Sequence, residues 1–169
     1  MNFGKIQRVL APFLLSLLLV SSCATQAPSR YDSAQNASTG RNATPAVVKT
    51  STQGAKFNKY FPKSGGGYQV VAAQEKKGFA EYKLKKDGKD VAVLSVSDTV
   101  NNPSAKQKFQ SSGKTIAGYP AANIGSNGTA VLVGDRYQVK VQSRDSSFTQ
   151  SDREAWLQKF NLRAIAALK

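Results

Sequence analysis

"GFAEYKLKKDGKDVAVLSVSD", residues 78–98, holds two runs of alternating apolar and polar side chains on either side of an Asp87-Gly88 pair. Both central residues of a type I′ turn need positive φ, and Asp-Gly adopts that conformation with little strain. The segment therefore reads as a β-hairpin with a two-residue loop. Counting outward from the turn sets Lys86 against Lys89, Lys85 against Asp90, Leu84 against Val91, Tyr82 against Val93 and Ala80 against Ser95. Because side chains alternate with period 2, the apolar pairs of this register fall on one face of the sheet.

A second hairpin reads "TAVLVGDRYQVKVQS", residues 129–143. Gly134-Asp135 suits a type II′ turn, with glycine at the first central position, so Leu132 is expected opposite Tyr137 and Ala130 opposite Val139. Tyr137, Val139 and Val141 would then point inward, and Arg136, Gln138, Lys140 and Gln142 outward.

The remaining segments frame these hairpins. Phe57, Tyr60 and Phe61 recur at helical spacing and stop at Pro62, which predicts a short helix docked on the core. Ser64-Gly65-Gly66-Gly67 is a turn without the Lys-Ser/Thr sequel of a phosphate loop, and a strand from Tyr68 to Gln74 follows. Asn102-Pro103 reads as an N-cap with proline at the first helical position, opening a short helix to Ser111 that closes at Gly113. Tyr119 to Ile124 is a further strand. Near the end, Ser151 and Glu154 match a capping box. Trp156, Leu157, Phe160, Ala164 and Leu168 form an apolar stripe, with Asn161 a candidate break between two helical pieces. The expected fold is α+β: a single antiparallel sheet of about five or six strands, packed on one face with a short N-terminal helix and a C-terminal helix.

Upstream of this domain the composition changes. Residues 24–52 carry nine Ser or Thr among 29 positions, with Tyr31, Val47 and Val48 their only large apolar side chains. Such a segment buries too little surface to offset its ordering entropy, and it reads as a flexible tether with a root-mean-square reach of roughly 30 Å. The first residues differ again. Lys5 and Arg8 precede a mostly apolar run from Val9 to Val20, which is shorter than a bilayer span and interrupted by Pro12. Two serines and Cys23, the sole cysteine, follow.

Val20-Ser21-Ser22-Cys23, placed after that apolar run, resembles the lipobox of bacterial lipoprotein precursors. The resemblance covers residues 1–23 and assigns no family to the domain that follows. It implies a signal peptide over residues 1–22 and a diacylglyceryl, palmitate-bearing Cys23 as the first mature residue. Residues 23–52 would be the lipidated cysteine and tether, and 53–169 the globular domain. Two or three acyl chains hold a protein firmly on a bilayer where one holds only marginally. Ala24 stands where aspartate signals inner-membrane retention in some such lipoproteins, so both membranes remain open. The implied location is a lipid-anchored one facing the periplasm or the cell exterior.

Charge and chemistry narrow the function. Residues 1–22 contain only Lys5 and Arg8 among charged residues, so the formal charge of +14 becomes +12 after cleavage. There is no histidine, and with it go the usual general base and zinc ligand. No Ser-x-x-Lys string opens a helix, so no catalytic residue, metal or cofactor is expected. Asp98 and Asp135 lie at strand ends as a conceivable carboxylate pair, but Asp135 already serves its turn. Arg144-Asp145 and Arg153-Glu154 read as local ion pairs, and Trp156 as core.

The conspicuous feature is Lys76, Lys77, Lys83, Lys85, Lys86 and Lys89, six lysines against Glu81, Asp87 and Asp90 within fifteen residues. They form a candidate anionic-surface patch; the competing reading is a solvated edge hairpin whose lysines block aggregation. The expected function is a membrane-anchored, exported, non-enzymatic binding or accessory domain of the cell envelope. Its partners would be the bilayer, reached through acylated Cys23, and anionic lipid, an envelope polymer or an acidic envelope protein. Nucleic acid is disfavoured by the compartment and by the lack of an interleaved basic-aromatic motif. The alternative is a small-ligand carrier or weak enzyme with a site between sheet and helices.

Overall fold

The structure, a computed structural model, describes residues 48–168. The signal peptide, Cys23 and most of the tether lie outside the described residues.

Seven strands form one antiparallel sheet in the order β1-β2-β3-β7-β6-β5-β4. They are β1 (Tyr68–Lys76), β2 (Phe79–Lys86), β3 (Lys89–Asp98), β4 (Lys114–Ile116), β5 (Tyr119–Ile124), β6 (Gly128–Val133) and β7 (Tyr137–Ser143). Two meanders, β1 to β3 and β4 to β7, join where β3 pairs with β7. Residues 99–113 carry the chain from the middle of the sheet to its far edge. The sheet is thus α+β as expected but has seven strands, not five or six. The extra one is β4, three residues long, which pairs with β5 across an Ala117-Gly118 turn in which both residues have positive φ.

The Asp87-Gly88 turn is type I′, with φ of 49° and 78°, and Lys86 faces Lys89 as expected. Beyond Lys85 the register departs from the two-residue count: Leu84 faces Ala92, Tyr82 faces Leu94 and Ala80 faces Val96. Val91 is the bulged residue. Its carbonyl accepts the N–H groups of Arg144 at 2.9 Å and Asp145 at 3.2 Å, so it serves the loop after β7 instead of the β2 ladder. The second hairpin is also one residue off. Val133 faces Tyr137 and Val131 faces Val139 across a three-residue loop, Gly134-Asp135-Arg136, instead of a II′ turn. Arg136 is drawn out of the ladder because its carbonyl accepts both the N–H and the hydroxyl of Thr99, at 2.9 and 2.7 Å.

The main core lies on one face of the sheet. Leu84, Leu94, Val96, Val131, Val139 and Val141 are fully buried there, beneath Phe57 of a 3-10 helix (Gly54–Tyr60) and Trp156 and Leu157 of a helix near the C-terminus. A four-residue helix, α1 (Gln107–Gln110), lays Phe109 on the opposite face against Ala122, Ala130 and Leu132. That second cluster makes the sheet partly two-sided, so Gln138, Lys140 and Gln142 are half-buried instead of exposed. The C-terminal stripe does break at Asn161, giving α2 (Gln150–Leu157) and α3 (Leu162–Ala166), with the Asn161 side chain accepting from Ala164 N–H as N-cap. The capping box of α2 is formed by Thr149 and Asp152, not by Ser151 and Glu154. Asp152 is the residue that reaches back, accepting from the Thr149 N–H at 2.8 Å. Past the break Leu162 and Ile165 replace Ala164 and Leu168 as the buried positions.

Candidate functional site

The six lysines picked from sequence fall into three groups. Lys76 and Lys77 sit at the β1–β2 turn, and Lys86 and Lys89 flank the Asp87-Gly88 turn at the other end of β2. An eight-residue strand at about 3.3 Å per residue puts roughly 25 Å between them. Lys83 and Lys85 point from the middle of β2 to the face opposite the main core, where both reach Asp90, at 2.9 and 2.5 Å. The Lys85 hydrogen bond first, and that of Lys83 second, hold the Asp90 carboxyl below its usual range. These two lysines are partly neutralised, whereas Lys76, Lys77, Lys86 and Lys89 make no ion pair among the described residues.

The end bearing Lys76 and Lys77 is also where the chain enters the domain. The Lys77 ammonium donates to the Lys49 carbonyl at 2.7 Å, and Gly78 N–H to the Thr52 carbonyl at 2.6 Å. Ser51 and Thr52, assigned to the tether from composition, are buried. Thr52 N–H donates to the Asp98 carboxylate at 2.9 Å, and its hydroxyl pairs with the Tyr137 hydroxyl at 2.9 Å. Asp98 is therefore a structural anchor, paired with Arg136. Asp135 pairs with Lys106 at 2.9 Å, which ends the notion of an Asp98–Asp135 carboxylate pair.

The sheet adds cations that distance along the chain conceals. Lys83 pairs with Val93, Val93 with Gln142, and Lys140 lies two residues from Gln142 on the same face. Lys108 of α1 joins them. Partial burial, and then the nearby Lys140 charge, hold its ammonium below the usual lysine value. The alternation of β7 was the available signal for Lys140; nothing local marks Lys108.

The other expected ion pairs are absent among the described residues. Glu154 binds Lys114 at 2.6 Å instead of Arg153, and Asp145 caps Ser147 instead of pairing with Arg144. Arg153 turns inward and is only 5 % exposed, its Nε donating to Thr129 Oγ1 at 3.0 Å and its Nη1 to Ser143 Oγ at 2.9 Å. The signal for its burial lies in the sequence: Arg153, Trp156, Leu157 and Phe160 follow i, i+3, i+4, i+7.

No group of three or more Cys, Asp or Glu among the described residues is placed to hold a metal ion, and no helix among them is long and apolar enough to cross a membrane. No protein-family model, curated protein or solved structure matches the chain.

Proposed function

We propose that the protein is an exported, lipid-anchored lipoprotein whose basic domain is a non-enzymatic binding module for anionic surfaces of the cell envelope. Cys23 carries the acyl chains and residues 24–47 the reach. The observation that supports the binding role is the disposition, at both ends of the β1–β2–β3 meander, of lysines that make no direct ion pair among the described residues, although Asp145 and Asp152 feel the charges of Lys89 and Lys86. Lys76 and Lys77 lie beside the chain entry, and Lys86 and Lys89 at the other end of β2. Each basic residue near an anionic membrane contributes about 1 kcal/mol, and the attraction fades within about 8 Å at physiological salt. Anionic lipid head groups, an envelope polymer or an acidic protein would each suit these lysines.

Intact-mass analysis of the native protein tests the anchor. It should show a chain beginning at Cys23 with acyl mass on that residue, and Cys23→Ala should leave the membrane fraction. A soluble native species beginning elsewhere would refute the anchor.

A further inference from the structure

Arg153 is buried and makes no direct ion pair among the described residues; Glu154 feels its charge through space but is itself bonded to Lys114. Transferring an ion out of water costs several kcal/mol even after relaxation, and buried charges are ordinarily paired. A guanidinium has five N–H donors, of which two are engaged here, both with neutral hydroxyls. The surrounding carboxylates are committed elsewhere. Glu154 is bonded to Lys114 and to Gln150, Asp152 to Thr149, and Asp145 to the N–H and hydroxyl of Ser147. Thr129 is fully buried, and the Ser143 hydroxyl that accepts from Arg153 itself donates to the Phe148 carbonyl at 2.6 Å, so the guanidinium is fixed in orientation.

The free side of Arg153 borders an open pocket of about 300 Å³, between the β5–β6 turn, the loop after β7 and the start of α2. Ser126, Asn127, Arg144 and Thr149 line it with hydroxyl, amide and cationic groups, beside the Phe148 ring. We infer that this pocket is a binding site for a carboxylate, held by the buried Arg153 guanidinium with Asn127 and the serine hydroxyls around it. An Arg–carboxylate pair is planar and charge-assisted, and it supplies the directly bonded counter-charge that Arg153 does not have among the described residues. The Asp145 carboxylate on the same wall sets the ligand class. It repels a dianionic phosphate more than a monoanion and leaves room beside the carboxylate for a hydrogen-bond donor or an ammonium. A volume of about 300 Å³ is at the small end of ligand pockets, which suits a small carboxylate. Asp145 also borders the groove that holds Lys86 and Lys89, so the site opens on the same end of the domain as these two lysines. It rests on Arg153 alone and stands whether or not those lysines bind a surface.

The test uses residues 24–169, the mature chain without its lipidated Cys23, with the arginine Nε–H resonances followed by NMR. Acetate, N-acetylalanine, glucuronate and inorganic phosphate are titrated separately against matched sodium chloride. The expected result is a saturable shift of the Arg153 resonance by the carboxylates, with midpoints at least tenfold below that for chloride and below that for phosphate. Tighter binding of N-acetylalanine than of acetate identifies a peptide terminus as the better source, and tighter glucuronate binding a sugar acid. Ser146→Glu, an exposed change at the pocket wall that supplies an internal carboxylate, should weaken acetate at least tenfold and leave the fold intact. An unmoved Arg153 resonance, or a shift that tracks ionic strength equally for all five salts, overturns the site. Phosphate binding more tightly than every carboxylate overturns the ligand class.

Discussion

Arg136 holds Asp98 through two nitrogens, Nε at 3.0 Å and Nη2 at 2.8 Å, while the same Nη2 donates to the carbonyl of Thr50. Asp98 has no exposed side-chain surface and also accepts the backbone N–H groups of Thr52 and Val100. One carboxylate thus ties the end of β3, the β6–β7 loop and the chain's entry into the domain.

Removing that carboxylate leaves a guanidinium and two backbone donors without their acceptor. Asp98→Ala should destabilise the domain by about 2–4 kcal/mol, toward the low end because the Arg136 side chain is partly exposed. Urea unfolding measures it. A loss under about 0.5 kcal/mol, the size of an ordinary surface substitution, would contradict the anchoring role.

Burial is the largest influence on Asp98 and pushes its carboxyl up. The hydrogen bonds from Arg136, then from Thr52 and Val100, outweigh it and leave the carboxyl below the usual aspartate range. A folded-state value below the unfolded one means stability that is fully present above the unfolded value and lost as pH falls through the folded one. The wild type should therefore lose stability on the acid side of the ordinary aspartate range. Asp98→Asn should flatten that limb while lowering stability at neutral pH; an unchanged acid limb in the variant would assign the loss to other carboxylates.

Two glycines are fixed for different reasons. A Cβ on Gly54 would lie 2.4 Å from the Lys76 carbonyl oxygen and 2.5 Å from that of Phe79, so Gly54→Ala should cost about 1–3 kcal/mol by forcing the 3-10 helix off the sheet. Gly88 has open space around it but a φ of 78°, so Gly88→Val should cost about 1 kcal/mol or more through backbone strain alone. Thermal melts separate the two: Gly88→Asn should recover most of the loss at the turn, and Gly54→Ser should recover none.

Phe109 joins α1 to the second face of the sheet. Phe109→Ala should destabilise by about 3 kcal/mol, and hydrogen exchange should quicken in residues 103–113 before it does in β3 or β7. Uniform quickening across the sheet would mean that α1 belongs to the main core.

Features decided by neighbouring residues could be read from the sequence, and features decided by distant ones could not. Asp87-Gly88 dictates its own turn because the φ preference belongs to those two residues. The bulge at Val91 depends on N–H groups of Arg144 and Asp145, more than fifty positions away, and the slipped register of the β6–β7 hairpin depends on Thr99. β4 is too short for its alternation to register, although Ala117-Gly118 marks the turn beside it. Among the candidate functional residues, six lysines crowd into fifteen positions of the sequence, yet pleating and Asp90 divide them. Adjacency along the chain points Arg153 at Glu154. Successive residues on a helix point in different directions, and its place on the Trp156 stripe was the better guide.

The most direct test of the binding role is cosedimentation of the mature chain, residues 24–169 with Cys23 absent, with anionic and with neutral vesicles from low to high salt. Three variants should be run beside it: Lys76→Gln with Lys77→Gln, Lys86→Gln with Lys89→Gln, and Lys83→Gln with Lys85→Gln. The account predicts binding to anionic vesicles alone, falling with salt, and weakened more by loss of either of the first two pairs than by loss of the Lys83–Lys85 pair that shares Asp90. Equal binding to neutral vesicles, indifference to salt, or wild-type behaviour in all three variants would contradict it.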